Sequence, residues 1–269
     1  MPFSLAAIDP VAFSLGPIHV RWYGILIATG IILAFLVVQR EAVKRGLHPD
    51  FMTDMLIWAV PISIIGARIY YVVFEWELYK EHPAKIFKIW EGGLAIHGAL
   101  IAAIITAVVF TRKRGVSFWK VADITAPGLL IGQILGRWGN FVNQEAHGGP
   151  VSDKFLENNI IPDWIMNQMT INGVTYHPTF LYESLWNVVG LLLILLVLRR
   201  LNPRRGSIFL FYLAWYSFGR FFIEGMRTDS LMYFGLKAAQ LVSIASILAA
   251  AALYMVRRFV LRDETHYKD

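Results

Sequence analysis

The apolar residues of this chain are gathered into blocks long enough to cross a bilayer, and few folds can accommodate that. A crossing takes roughly 20 residues at about 1.5 Å each. Seven blocks qualify: His19–Gln39, Phe51–Phe74, Gly93–Thr111, Trp119–Phe141, Thr179–Leu198, Ser207–Met226 and Leu236–Val256. Composition agrees, with 57% hydrophobic and 16% charged residues against about a quarter charged in soluble domains. The expected fold is an all-α polytopic membrane protein with seven transmembrane helices, one membrane-embedded domain over residues 1–269.

Orientation follows from the cations. Arg40, Lys44 and Arg45, then Arg112, Lys113, Arg114 and Lys120, then Arg199, Arg200, Arg204 and Arg205, and finally Arg257, Arg258, Arg262 and Lys268 fall in alternate connections. These are 15 of the 25 lysines and arginines, and the other connections are sparser and mixed in sign. By the positive-inside bias the N-terminus is expected outside and the C-terminus in the cytoplasm. The first sixteen residues lack a basic n-region, so no cleaved signal is expected. Basic residues dispersed over four short loops suit anionic lipid and form no single face for nucleic acid, so no nucleic-acid partner is expected.

Between Asn143 and Pro178 the composition turns to glycine, proline and acidic residues, which predicts a small extracytoplasmic cap over about 143–178. Within it, Gln168–Ile171 and Val174–His177 flank Asn172-Gly173, a signal for a two-residue hairpin. The chain has no cysteine, which removes thiolate nucleophiles, thiolate metal sites and disulfides. Its seven histidines show no ligand spacing, so neither a metal nor another cofactor is expected.

Several polar residues interrupt the apolar blocks, where hydrocarbon makes them costly. In the expected topology Tyr23, His97, Arg137, Asn140 and Arg220 lie within roughly 10 Å of the outer boundary, and Glu145, His177, Tyr182 and Glu183 border the same level. Two guanidiniums below the headgroup level suit a phosphate, because each presents a planar fork of donors. A histidine at that depth can exchange a proton near neutral pH. Blander readings stand beside these. Arg137 and Arg220 could form buried salt bridges to Glu145 and Glu224, Arg68 could pair with an acidic neighbour or snorkel, and Tyr182 and Glu183 could merely cap the fifth helix. Trp22, Trp76 and Trp90 suit an aromatic belt. An anion transporter would also place arginines in the bilayer but should carry polar groups in both halves, and a lipid-binding scaffold would not need His97.

Gly136-Arg137-Trp138-Gly139-Asn140-Phe141-Val142-Asn143-Gln144-Glu145-Ala146-His147-Gly148 resembles the signature G-R-x-G-N-F-x-N-x-E-x-x-G of bacterial phosphatidylglycerol:prolipoprotein diacylglyceryl transferases. The resemblance runs along nearly the whole chain, through Tyr23-Gly24, Gly66-Ala67-Arg68, Glu91 to Gly98, Asp123 with Ala126-Pro127, His177 to Glu183, and Tyr216 to Arg227. It departs at Ala99, often a glycine, and at Gln144, which replaces a frequent glycine.

The resemblance implies an enzyme of the bacterial cytoplasmic membrane with its active site toward the outer leaflet. Its partners would be phosphatidylglycerol, the signal peptide of a prolipoprotein with its lipobox cysteine, and surrounding membrane lipids. The implied reaction moves a diacylglyceryl group onto that cysteine, forming a thioether and releasing glycerol phosphate. The essential positions correspond to Tyr23, His97, Arg137, Asn140, Gly148 and Arg220, with Glu145, Tyr216, Glu224 and Arg227 in support. Arg137 and Arg220 would hold the lipid phosphate, His97 would accept the thiol proton, and Asn140 and Tyr23 would orient phosphate or glycerol oxygens.

Overall fold

A computed structural model describes residues 7–158, 160–228, 232–233 and 235–269. The chain opens with strands β1 (Val11–Leu15) and β2 (Ile18–Arg21), paired antiparallel around Gly16, which stands at φ +61°. Helices α1 (Trp22–Lys44), α2 (Phe51–Phe74), α3 (Ile96–Lys113) and α4 (Phe118–Val142) follow. The segment 143–178 carries two short helices, α5 (Asp153–Asn158) and α6 (Asp163–Gln168), and strands β3 (Thr170–Ile171) and β4 (Val174–Thr175). Next come α7 (Thr179–Leu192), a π-helical stretch over Leu193–Leu198, α8 (Arg199–Leu201) and α9 (Ser207–Met226). A last pair of strands, β5 (Met232–Tyr233) and β6 (Leu236–Lys237), leads into α10 (Ala238–Met255).

Helices occupy every one of the seven apolar blocks. Five are long and apolar enough to cross a membrane by length and composition: Trp22–Lys44, Phe51–Phe74, Ile96–Lys113, Thr179–Leu201 and Ala238–Val260. The other two long helices, α4 and α9, carry the charged and amide residues discussed below, which lowers their apolar character. The first helix begins at Trp22, three residues later than the block suggested, because His19–Arg21 belong to β2. The alternation of Val11–Leu15 and the Gly16-Pro17 turn carry that hairpin. At Asn172-Gly173 the expected hairpin is present, with φ of +51° and +80°, the paired positive values of a type I′ turn.

The chain divides into two compact units, one comprising residues up to Val38 with Asp123–Asp269, the other Gln39–Ala122. In the second, α2 and α3 meet backbone to backbone. A Cβ on Gly98 would fall 2.3 Å from the Gly66 carbonyl oxygen, and one on Gly66 would fall 2.4 Å from the Ala102 Cβ. Small residues of this kind let apolar helices approach where no hydrophobic drive separates them from lipid. Arg68 in the same unit pairs with no acid among the described residues and does not snorkel. It is buried and donates to the carbonyls of Lys85 at 2.6 Å, Gly92 at 2.7 Å, Ile86 at 2.8 Å and Gly93 at 2.8 Å, pinning the 3₁₀ turns of residues 76–91 to α2.

In the first unit, Gly139 packs on the Tyr23 ring, Gly30 on Leu135 and Gly128 on Val38, so α1 and α4 run antiparallel in close contact. Helices α7 and α9 interlock through a reciprocal device. Trp186 Nε1 donates to the Trp215 carbonyl at 2.8 Å and Trp215 Nε1 to the Trp186 carbonyl at 3.0 Å, with rings stacked 4.1 Å apart. Each tryptophan also lies against a glycine of the other helix, Trp186 on Gly219 and Trp215 on Gly190. The pattern Trp-x-x-x-Gly therefore occurs on both partners and fixes their register. Buried Asp123 of α4 accepts from the backbone N–H of Gly206 at 2.6 Å and Phe209 at 2.8 Å, capping the start of α9 in trans. The far end of α9 is closed by Lys237, whose Nζ donates to the carbonyls of Glu224, Gly225 and Arg227.

The C-terminal tail folds back beside residues 202–205. Tyr267 is fully buried and its N–H donates to the Pro203 carbonyl at 2.8 Å. Burial pushes the Asp263 carboxyl up, but hydrogen bonds from Thr265 and the charge of Arg257 outweigh it and hold it below the usual carboxylate range.

The glycine contacts give a paired prediction. Gly98→Ala should lower thermal stability in detergent by about 1–3 kcal/mol, the usual cost of forcing extra atoms into a packed contact. Gly132→Ala, where a Cβ would meet nothing within 4 Å, should leave the melting temperature unchanged or raise it slightly. Equal melting temperatures for the two variants would contradict the backbone contact.

Candidate active site

The site is organised around one carboxylate. Glu183, in the second turn of α7, is almost fully buried, with 3% of its side chain exposed, and both its oxygens face guanidiniums. Oε1 lies 2.9 Å from Arg137 Nε on α4, and Oε2 lies 3.2 Å from Arg220 Nη1 on α9. Three helices thus converge on a single anion. Arg220 is held from a second side by Glu224, one turn along α9, at 2.6 Å from Nη2. Arg137 donates from Nη1 to Asn140 Oδ1 at 3.1 Å and lies within hydrogen-bonding reach of the Tyr216 hydroxyl.

Chemical complementarity explains why the arginines tolerate this setting. A charge taken out of water has to be paired and hydrogen-bonded, and removing one partner from a buried pair typically costs 3–5 kcal/mol. The two guanidiniums still keep 21% and 17% of their side chains exposed, so the cluster reaches solvent or ligand from one side. Each guanidinium has five N–H donors, more than these contacts use. The group can therefore accept a further oxyanion while its fixed carboxylates hold the arginines in place.

The end of α4 and the segment after it complete the surround. Asn140 Nδ2 donates to Glu145 Oε1 at 3.0 Å, and Asn143 Nδ2 to the same oxygen at 3.2 Å. The chain turns here with Gln144 and Ala146 in the left-handed region, at φ +53° and +59°. Glycine occupies that region without penalty, which gives a physical reason for the glycine often found where Gln144 stands. Gln144 gains a bond in return, from Nε2 to the Gln168 carbonyl at 2.7 Å. Buried Gln168 caps the last turn of α4, its Nε2 donating to the carbonyls of Phe141 and Val142. Beneath it lies an apolar cluster of Phe141, Val142, Ile165, Met169 and Phe180 that seats residues 143–178 on α4 and α7.

Gly148 owes its identity to space. Its N–H donates to the His177 carbonyl at 3.0 Å, it pairs with Arg227 in an antiparallel bridge, and an added Cβ would fall 2.8 Å from the His177 Cβ. Gly149 N–H donates to the Met226 carbonyl at 3.0 Å, so this strand-like run joins the end of α9 to the start of α7. His177 Nδ1 is 3.4 Å from the Tyr182 hydroxyl, and burial pushes its imidazole below the usual histidine range.

Of the residues expected from sequence, Arg137, Asn140, Glu145, Tyr216, Arg220 and Glu224 form one connected group. Gly148 and Arg227 close its edge, and Tyr23 packs its ring against Gly139, one residue before Asn140. The blander reading of a buried Arg137–Glu145 bridge is corrected: Arg137 binds Glu183, whereas Glu145 binds the two asparagines. Glu145 lies beyond the end of α4 in the left-handed turn, while the tryptophan interlock brings Glu183 level with Arg220. The Arg220–Glu224 bridge raised as the blander reading is present. Glu183 itself was read only as a border residue or a helix cap, although a carboxylate inside an apolar block was a signal for more. His97 belongs to the other unit. It is the second residue of α3, exposed, with its ring 6.0 Å from that of Tyr70.

Glu183→Gln should lower thermal stability in detergent, because two buried cations lose their shared counterion. Added inorganic phosphate should restore part of that loss in the variant more than in the parent protein. A variant melting with the parent, indifferent to phosphate, would show that the carboxylate is not what holds the arginines.

The sequence matches the family described as Prolipoprotein diacylglyceryl transferase over residues 10–256. Among curated proteins, it is 61% identical to a phosphatidylglycerol–prolipoprotein diacylglyceryl transferase of Lysinibacillus sphaericus, covering 100% of this chain and 99% of that one. It is 57% identical to that of Geobacillus kaustophilus, covering 100% of both. A Listeria monocytogenes relative of the same name is 52% identical, over 97% of this chain and 94% of its own length. This chain belongs to the prolipoprotein diacylglyceryl transferase family.

Proposed function

We propose that the protein transfers the diacylglyceryl group of phosphatidylglycerol to the lipobox cysteine of a prolipoprotein signal peptide, the first step of bacterial lipoprotein maturation. Family membership and the names of the relatives support this reading. The observation that carries it furthest is the convergence of Arg137 and Arg220 on one buried carboxylate, since side chains that share a carboxylate can share a phosphate. The cysteine sulfur attacks the glyceryl carbon, the carbon–oxygen bond to phosphate breaks, and the electron pair leaves with glycerol phosphate. Charge builds on the phosphate as that bond lengthens. Fixed guanidiniums aimed at it stabilise the transition state more than the ground state.

Supporting roles follow from the contacts. Glu183 and Glu224 hold the arginines, and Tyr216 and Asn140 fix Arg137. Glu145 orients Asn140, leaving Asn140 and Tyr23 to meet phosphate or glycerol oxygens. Gly148 and Arg227 keep the run after the signature close to the end of α9. His97 keeps the role that the resemblance gives it, the base for the incoming thiol, whose own pKa is about 8.5; its exposed ring supports that availability.

In this reading the chain works as a single domain with seven spans in the bacterial cytoplasmic membrane. Its N-terminus lies outside, its C-terminus lies in the cytoplasm, and residues 143–178 form an extracytoplasmic cap. The alternation of basic connections supports the orientation, and the helices in all seven blocks support the count. The lipid would then enter from the outer leaflet.

Purified protein incubated with phosphatidylglycerol and a lipobox peptide should add one diacylglyceryl mass to the peptide. Arg137→Ala and Arg220→Ala should each abolish transfer while remaining folded in detergent, and full turnover by either would remove that arginine from the reaction. His97→Gln should slow transfer and move its pH profile toward the ionisation of the thiol itself. An unchanged profile would count against His97 as the base.

A further inference from the structure

A second polar layer lies one turn away from the arginines, on the side opposite residues 143–178. Gln133 precedes Arg137 by four residues on α4, Asn187 follows Glu183 by four on α7, and Tyr212 precedes Tyr216 by four on α9. That spacing keeps each residue on the same helix face as its partner, roughly 6 Å along the axis. Contacts between helices fix the level. Gln133 Nε2 donates to the Tyr212 hydroxyl at 2.9 Å, Ser184 Oγ reaches the Ile134 carbonyl at 3.5 Å, and the tryptophan interlock ties residue 186 to residue 215.

This layer differs from the first in carrying no charge, and buried amide atoms in it lack ion-pair partners as well as hydrogen-bond partners among the described residues. Asn187 has no exposed surface, yet among the described residues neither its Oδ1 nor its Nδ2 has a hydrogen-bond partner. Gln133 Oε1 is buried without a partner as well. Buried amides are nearly always bonded, so a fully enclosed asparagine with both ends unmet requires a reason. The unmet groups comprise two carbonyl acceptors and one amide donor, with the Tyr212 hydroxyl proton beside them. A glycerol headgroup has complementary groups, since its two hydroxyls can donate to the two carbonyls while their oxygens accept from Asn187 and Tyr212. A choline or ethanolamine ammonium would bring a positive charge to a layer without a carboxylate.

We infer that Gln133, Asn187 and Tyr212 receive the uncharged polyol headgroup of the donor lipid and make the enzyme select it. This rests on the transferase reading above, with the phosphate held by Arg137 and Arg220 and the headgroup directed one turn further into the bundle. A site built to hydrogen-bond hydroxyls should reject an analogue that lacks them, because its own buried polar groups then stay unmet.

The test compares phosphatidylglycerol with phosphatidylpropanol, which keeps the phosphate and chain length but has no hydroxyl on the headgroup. The wild-type enzyme should favour phosphatidylglycerol in kcat/KM by a factor on the order of 10² or more. In Asn187→Leu and Gln133→Leu that ratio should fall toward one, with melting temperature measured in parallel to report folding. Equal use of the two lipids by the wild type would overturn the inference without need of any variant. So would a variant that stays folded and loses both activities in the same proportion, the pattern expected if the amides only hold a water. Transfer from neither lipid by the wild type would instead sink the transferase reading on which the inference stands.

Discussion

The charged site of the first unit is arranged around Glu183. A single carboxylate in an apolar helix bundle is costly alone, and two arginines in the same bundle are costlier still. Together they form a group in which each charge is the reason the others can be there. The group is formally neutral, two guanidiniums against the carboxylates of Glu183 and Glu224, with Glu183 shared between both arginines. The guanidinium N–H groups that these contacts leave unused suit a phosphodiester, whose oxygens can accept in pairs.

The rest of this unit can be understood as what is needed to hold that geometry. The tryptophan interlock sets the register of α7 against α9, and a slip by one residue would separate Glu183 from Arg220. Asp123 anchors the start of α9 to α4 and Lys237 closes its end, so the helix bearing Arg220 is fixed at both termini. Gln168 and the aromatic cluster under residues 143–178 do the same for the end of α4, where Asn140 and the signature turn sit. Rigid support of this kind lets donors meet developing charge without reorganising.

What could be read from the sequence was what simple physics demands locally. Hydrocarbon requires long apolar helices, so the blocks declared themselves, and Asn172-Gly173 declared its turn because both positions need positive φ. The arginines and amides of the signature stood out because each is expensive where it lies. What escaped was what depends on register between helices. Glu183 was visible as a polar residue, but its place between two arginines follows from a tryptophan interlock whose pattern, Trp-x-x-x-Gly on two helices, has meaning only once they are paired. Arg68 was given two conventional fates and took neither, since loop carbonyls leave no mark in a sequence. Most of the second strand of the N-terminal hairpin was absorbed into the first apolar block because Val20 continues its hydrophobic run. Gln133, Asn187 and Tyr212 lie far apart in the chain, and only their helical offsets from the charged layer bring them together.

The most direct test is an experimental structure of the protein with phosphatidylglycerol bound, read at the lipid phosphorus. The account places the phosphate within hydrogen-bonding distance of both Arg137 and Arg220, with Glu183 still bound to at least one of them. A phosphate held by only one arginine, or lodged elsewhere while Glu183 keeps both, would contradict it.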